Sequence, residues 1–259
     1  MGRRWASPHP RRRELKSAAG RAARSRYVLA VPKIATPPRE TVICFVRHGT
    51  TPTTGRVLPG RTPGLHLSEK GIDEAEATAV RIAVMGRVSA IYASPLERAR
   101  ETAKPIGKAL GQRVTIERGL LECDFGDWTG RELKELSKLP EWQSVQRHPS
   151  GFRFPGGESF TELQARLAAT VERIVQRHPG EVVIAVSHAD PIKIAVGDAL
   201  GQPLDLLQRT VISPASVSAV AYGPTMPSVL MVNSMGDLAA IGGRAKPDAR
   251  RTRKEAAAK

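Results

Sequence analysis

A chain of 259 residues with 41% apolar side chains has the material for a sizeable core, which excludes an intrinsically disordered protein. The formal net charge of +15 sits at the ends: residues 1–40 hold 11 Lys/Arg against 2 Asp/Glu and residues 244–259 hold 7 against 2, leaving 41–243 close to neutral. The basicity therefore carries no information about the body, although such tails suit RNA, DNA or an anionic surface by charge alone.

Residues 1–40 and 244–259 read as basic, solvated and poorly ordered extensions flanking one domain over 41–243. No apolar run approaches the ~18 residues of a membrane span. Cys44 and Cys123 have neither metal-ligand nor framework spacing, which fits a reducing cytoplasm, the expected location. Neither metal nor cofactor is expected.

The body alternates strands and helices. Val42–Val46 is a continuous apolar run, as in a strand buried on both faces. Ser68 opens a helix to about Met85 with one apolar stripe, and Val88–Ala93 is a second strand. Ser94-Pro95 reads as a capping hydroxyl and a first-turn proline heading a helix that stops at Gly111. Arg113–Glu117 forms a third strand. A Gly/Asp-rich loop (119–130), a short helix over Arg131–Leu139 and an irregular loop over His148–Glu158 follow. Ser159-Phe160-Thr161-Glu162 is a capping box for a helix to about His178. Val182–Val186 is a fourth strand, Pro191–Leu200 a helix, and Val211–Ile212, Ser216–Tyr222 and Ser228–Ser234 are closing strands. The sum is an α/β fold: three α/β/α layers around a mostly parallel, doubly wound sheet with an antiparallel edge.

Ligands of open α/β sheets sit at the carboxyl ends of strands. Arg47 and His48 follow the first strand, Arg98 enters the helix after the second, and His188 follows the fourth. Two arginines and two histidines on one rim define an anion site, and an imidazole beside guanidinium groups suits a dianionic phosphoryl group. Taken singly, each of these residues has an ordinary structural reading; together, at matching strand ends, the catalytic reading is the stronger. His9, His66, His148 and His178 fit no such pattern and are expected at the surface, as is Arg100.

These residues lie within motifs: Arg47-His48-Gly49-Thr50-Thr51, the run Ser94 to Ala103, Glu122 ahead of Gly126 and Gly130, Ser187-His188, and Pro155-Gly156-Gly157-Glu158-Ser159. Over residues 41 to about 238 the chain resembles the histidine phosphatase superfamily, in its phosphoglycerate-mutase-like branch. It further resembles an actinobacterial-type group described as phosphomutase or phosphatase. The resemblance implies a phosphohistidine on His48, a phosphoryl clamp of Arg47, Arg98 and His188, and Glu122 as proton donor. His188 is expected to be cationic beside phosphate, and Glu122 to stay protonated near neutrality. Asp124 and Asp127 share the loop of Glu122, but the Gly-x-x-x-Gly landmark favours Glu122.

Thr51, Thr54, Arg61 and Ala189 are the expected substrate contacts, with Arg56 beside them. Thr54 stands where many relatives have Asn, and Ala189 where Gly is common. The loop His148–Phe154, with Arg147, Phe152 and Arg153, is expected to lid the site and select the leaving group. The 66 residues between Glu122 and His188 match compact phosphatases more than mutases with a longer insertion. The expected activity is metal-independent hydrolysis of a small phosphorylated metabolite. A phosphomutase, or a nucleic-acid-associated protein using its tails, are the alternatives.

Overall fold

The computed structural model describes residues 40–236, 238 and 241, so the expectations for the tail 244–259 and for nearly all of the 1–40 extension, His9 included, lie outside the described residues. Six strands form the sheet: β1 (Thr41–Arg47), β2 (Ala90–Ala93), β3 (Val114–Ile116), β4 (Val182–Ser187), β5 (Val217–Tyr222) and β6 (Ser228–Ser234). Their spatial order is β3-β2-β4-β1-β5-β6. The first four run parallel, while β5 pairs antiparallel to both β1 and β6.

Side-chain alternation along the central strands builds two cores. Val42, Cys44 and Val46 pack with Ile82, Ala99, Ala103 and Ile106, which come from α1 (Glu69–Ala83) and α2 (Glu97–Leu110). Ile43 and Phe45 face the other way, onto Leu163, Leu167, Ile192 and Val196 of α5 (Phe160–Arg177) and α6 (Ala189–Ala199). This is the three-layer, doubly wound architecture with an antiparallel edge. Burial pushes the Cys44 thiol up to about 12, so it behaves as a small core hydrophobe. Cys123 is fully buried as well.

Two helix starts are built as the sequence predicts. Ser68 accepts the Gly71 N–H, and Ser159 with Glu162 closes a reciprocal capping box, each cap contributing about 1 kcal/mol. Gly71 also lets α1 touch the loop after β1. A Cβ on Gly71 would lie 2.0 Å from the Thr50 carbonyl oxygen, and one on Gly49 2.5 Å from the Gly71 oxygen. Only a pair of glycines permits this backbone contact.

Four expectations are corrected. Helix α2 begins at Glu97 with Leu96 as its cap residue, because the Ser94 hydroxyl is engaged elsewhere. The helix over Arg131–Leu139 is a single turn, α3 (Leu133–Leu136), and Pro140 starts a separate helix, α4 (Pro140–Arg147). Val211–Ile212 is an irregular segment, with Val211 exposed and the Ile212 carbonyl bound to Arg47. His178 is largely buried: its ring bonds Tyr92 Oη at 2.9 Å and Glu181 at 2.9 Å. Among the described residues no helix is long and apolar enough to cross a membrane.

Candidate active site

Three adjacent parallel strands, β2, β4 and β1, end at one level, with Ala93 opposite Val186 and Arg47 opposite Ser187. The next residues are Ser94, His188 and His48, so the register places them side by side. The His48 and His188 ring centroids are 5.2 Å apart. His48 Nδ1 lies 2.8 Å from the Gly49 carbonyl oxygen. A carbonyl only accepts, so Nδ1 carries the proton and Nε2 keeps its lone pair. Arg98 Nε donates to that Nε2 at 3.3 Å, and Arg98 Nη2 donates to the Gly60 carbonyl at 2.7 Å. The Thr102 hydroxyl accepts the Gly49 N–H at 3.0 Å and donates to the Arg98 carbonyl, tying the His48 loop to α2.

Arg98 has no exposed surface, yet its Nη1 has no hydrogen-bond partner. Arg47 Nε and His188 Nδ1 are likewise buried atoms without a partner, the latter a donor in the tautomer where the Ser94 hydroxyl donates to Nε2. Buried donors without acceptors are rare because each costs its desolvation, and three together describe a receptor for an oxygen-rich anion. Burial first, then Arg98, hold both His48 and His188 well below the ordinary imidazole range. With protein groups alone both rings are neutral, so the expected cationic His188 depends on the charge of a bound phosphoryl group. Ser94 Oγ bonds His188 Nε2 at 2.8 Å and fixes that ring.

Glu122 is buried and lines the same cavity. Burial first, then the nearby Asp190 carboxylate, raise it to about 7; the Cys123 N–H, Arg98 and Arg47 pull the other way. Its loop is clamped from behind. Arg166 donates to the carbonyls of Gly119, Leu121 and Glu122, and Arg61 Nε donates to that of Glu122 at 2.9 Å. Glu158 ties the two guanidinium groups together, at 2.9 Å from each.

The cavity above His48 has a volume of about 430 Å³. Arg47, Thr51, Thr54, Glu122 and Ala189 line it, while Arg98 and His188, fully buried against His48, are not among its lining residues. The Thr54 hydroxyl accepts the Thr51 N–H at 2.9 Å, so it shapes the loop as well as facing the cavity. Arg61 is a correction: its guanidinium is committed to the Glu122 carbonyl, Asp124 and Glu158, and it does not line the cavity. Exposed Arg56 binds the Pro52 carbonyl instead. The expected lid is also revised. Exposed Arg153 pairs with Glu162, and Phe152 packs on Trp128 and Phe154; Trp142, Val145 and Gln146 of α4 form the wall.

Sequence reasoning missed Ser94 and Thr102 as positioning groups, the Arg166 clamp, and Asp190 with Lys193 in the cavity wall. The i,i+3 spacing of Asp190 and Lys193 was a usable signal; nothing local marks Arg166. Among the described residues no group of three or more His, Cys, Asp or Glu is placed to hold a metal ion.

A doubly wound α/β fold whose strand ends present two neutral histidines and two arginines around unpaired donors defines a phosphoryl-handling enzyme. The chain belongs to the histidine phosphatase superfamily (branch 1), whose family model matches residues 43–235. Members of that superfamily are phosphatases or phosphomutases. The chain is 35% identical over 202 residues to a Mycobacterium tuberculosis protein named bifunctional protein Rv2228c, covering 76% of this chain but only 55% of that protein. Thus it spans little more than half of that relative. It is 30% identical to the probable phosphoglycerate mutase GpmB of Yersinia pestis, covering 76% of this chain and 93% of that one. The solved structure of Bacillus stearothermophilus YhfR superposes with a TM-score of 0.70 at 26% identity, covering 76% of this chain and 98% of that one.

Proposed function

We propose that this protein is a phosphomonoester hydrolase that works through a phosphohistidine on His48 and needs no metal. The observation that carries the reading is the set of three unpaired buried donors, Arg47 Nε, Arg98 Nη1 and His188 Nδ1, around a neutral imidazole. The phosphoryl oxygens accept from these donors, which are fixed before the substrate arrives. His48 Nε2 attacks phosphorus in line and the P–O bond to the alcohol breaks. The Glu122 carboxyl delivers its proton to the leaving oxygen, a role suited to an acid raised to about 7. In the second half the Glu122 carboxylate takes a proton from water, whose oxygen attacks phosphorus. The N–P bond breaks, inorganic phosphate departs, and His48 and Glu122 are restored.

The identity to a protein named as a probable phosphoglycerate mutase favours a second reading, transfer to another hydroxyl. Compact spacing between Glu122 and His188 supports water as the acceptor. A panel of phosphomonoesters assayed with and without a bisphosphoglycerate tests both readings. Hydrolysis is expected to release inorganic phosphate without the bisphosphate; isomerised product that requires it would overturn the hydrolase reading.

A further inference from the structure

Beyond the phosphoryl floor, the cavity wall falls into two parts. One is apolar: Leu58, Phe125, Leu133, Trp142, Val145 and Phe154. The other is polar: Asp190, Lys193 and Gln208 are bonded to one another, beside Gln146 and Thr210. Lys193 Nζ lies 3.2 Å from Asp190 Oδ1 and donates to Gln208 Oε1 at 2.9 Å, with both members of the ion pair largely buried. Among the described residues that line the cavity, Lys193 is the only Lys or Arg apart from Arg47. An anionic group on the leaving alcohol would meet a Lys193 already neutralised by Asp190, and would either share that ammonium with a partly buried carboxylate beside Glu122 or draw it away. That exchange costs more than it returns, because breaking a desolvated pair strands one charge.

Resting on the proposed hydrolase reading, we propose that the substrate is a phosphomonoester whose only charged group is the phosphoryl group. The esterified alcohol has a flat or branched apolar body that packs on the α4 wall. The Asp190–Lys193 pair rejects carboxylated and bisphosphorylated alternatives, so these two residues are specificity determinants. Arg56 and Arg61, the expected cationic contacts near the nucleophile, are both engaged away from the cavity.

The test compares benzyl phosphate with its 2-carboxy and 4-carboxy derivatives, which keep a similar leaving alcohol. The neutral-bodied ester is expected to exceed both acids in kcat/KM by about tenfold or more. Asp190→Asn, which frees Lys193, is expected to narrow that gap. Trp142→Ala is expected to lower kcat/KM for benzyl phosphate more than for methyl phosphate. Equal or better turnover of the carboxylated esters by the wild type would overturn the substrate class while leaving the hydrolase reading intact. Titration of the same esters into the His48→Ala protein reads the preference without chemistry. Selective binding there with no turnover by the wild type would sink the hydrolase reading but support the class. Unselective binding would count against the class.

Discussion

The floor and the wall of the cavity are built on opposite terms. Half-buried Arg47 and buried His48 and His188 sit at or just past strand ends, buried Arg98 lies in the first turn of α2, and Arg47, Arg98 and His188 each keep an unpaired nitrogen. The wall comes from α4, from the loop of Glu122 and from α6; its ion pair, Asp190 with Lys193, is closed on itself and on Gln208, while its aromatic rings pack on one another. Phe125 and Phe154, for example, meet edge to face with centroids 4.9 Å apart. Polar groups held unsatisfied on a rigid sheet are poised for one kind of ligand, a phosphoryl group. A satisfied wall gains from a ligand only by shape and apolar contact, so it reads the rest of the substrate. Damage to the floor should therefore harm every ester alike, whereas damage to the wall should alter the order of preference.

His48→Ala is expected to have the largest effect, a loss of roughly 10⁴- to 10⁶-fold in kcat. The acid-labile phosphoenzyme trapped by rapid quench should vanish while the far-UV spectrum is kept. Arg98→Ala should cost roughly 10²- to 10³-fold in kcat/KM. If that loss is uniform across esters, the floor reads phosphorus alone; a loss that varies with the alcohol breaks the comparison.

Glu122→Gln joins the two regions. Its penalty is expected to reach about 10²-fold for alkyl esters and to be small for nitrophenyl esters, whose leaving groups need no proton. In the wild type, kcat/KM for alkyl esters should fall as pH rises through about 7, the point to which burial and Asp190 raise this carboxyl, and the variant should lack that limb. The linkage has a definite sign. Between the ordinary 4.5 and about 7 the folded protein holds a proton that the unfolded chain has lost. Stability therefore declines with rising pH across that window, and the decline is complete above it. Glu122→Gln should thus stabilise the fold by about 1–3 kcal/mol at pH 8 and by almost nothing at pH 4, measurable by denaturant titration.

Smaller effects follow. Ser94→Ala removes the partner of His188 Nε2 and should lower kcat about tenfold across all esters. EDTA should leave activity unchanged, since in the proposed mechanism fixed guanidinium and imidazole donors meet the developing charge.

Sheet and site were not equally legible in the chain. The β1 and β4 runs, the long helices and the capping box at Ser159 announce themselves through periodicity and local hydrogen-bond chemistry, which act over a few residues. The same locality makes Arg47, His48, Arg98, Glu122 and His188 visible, because each sits inside a motif. Ser94 read as a cap because a local rule fits it; only the pairing of β2 with β4 brings its hydroxyl to His188 instead. Arg61 read as a substrate contact because a cation near the nucleophile suits phosphate, yet Glu158 and the Glu122 carbonyl, 97 and 61 residues away, claim it first. The sequence by itself therefore determined the layered fold and the chemical identity of the floor, both written in short-range patterns. Tertiary structure alone decided which polar groups stay unpaired and which cations are already spoken for, since that depends on partners distant in the chain and on burial. The first of these decisions distinguishes a phosphoryl site from a basic surface, and the second underlies the proposed neutral-bodied substrate.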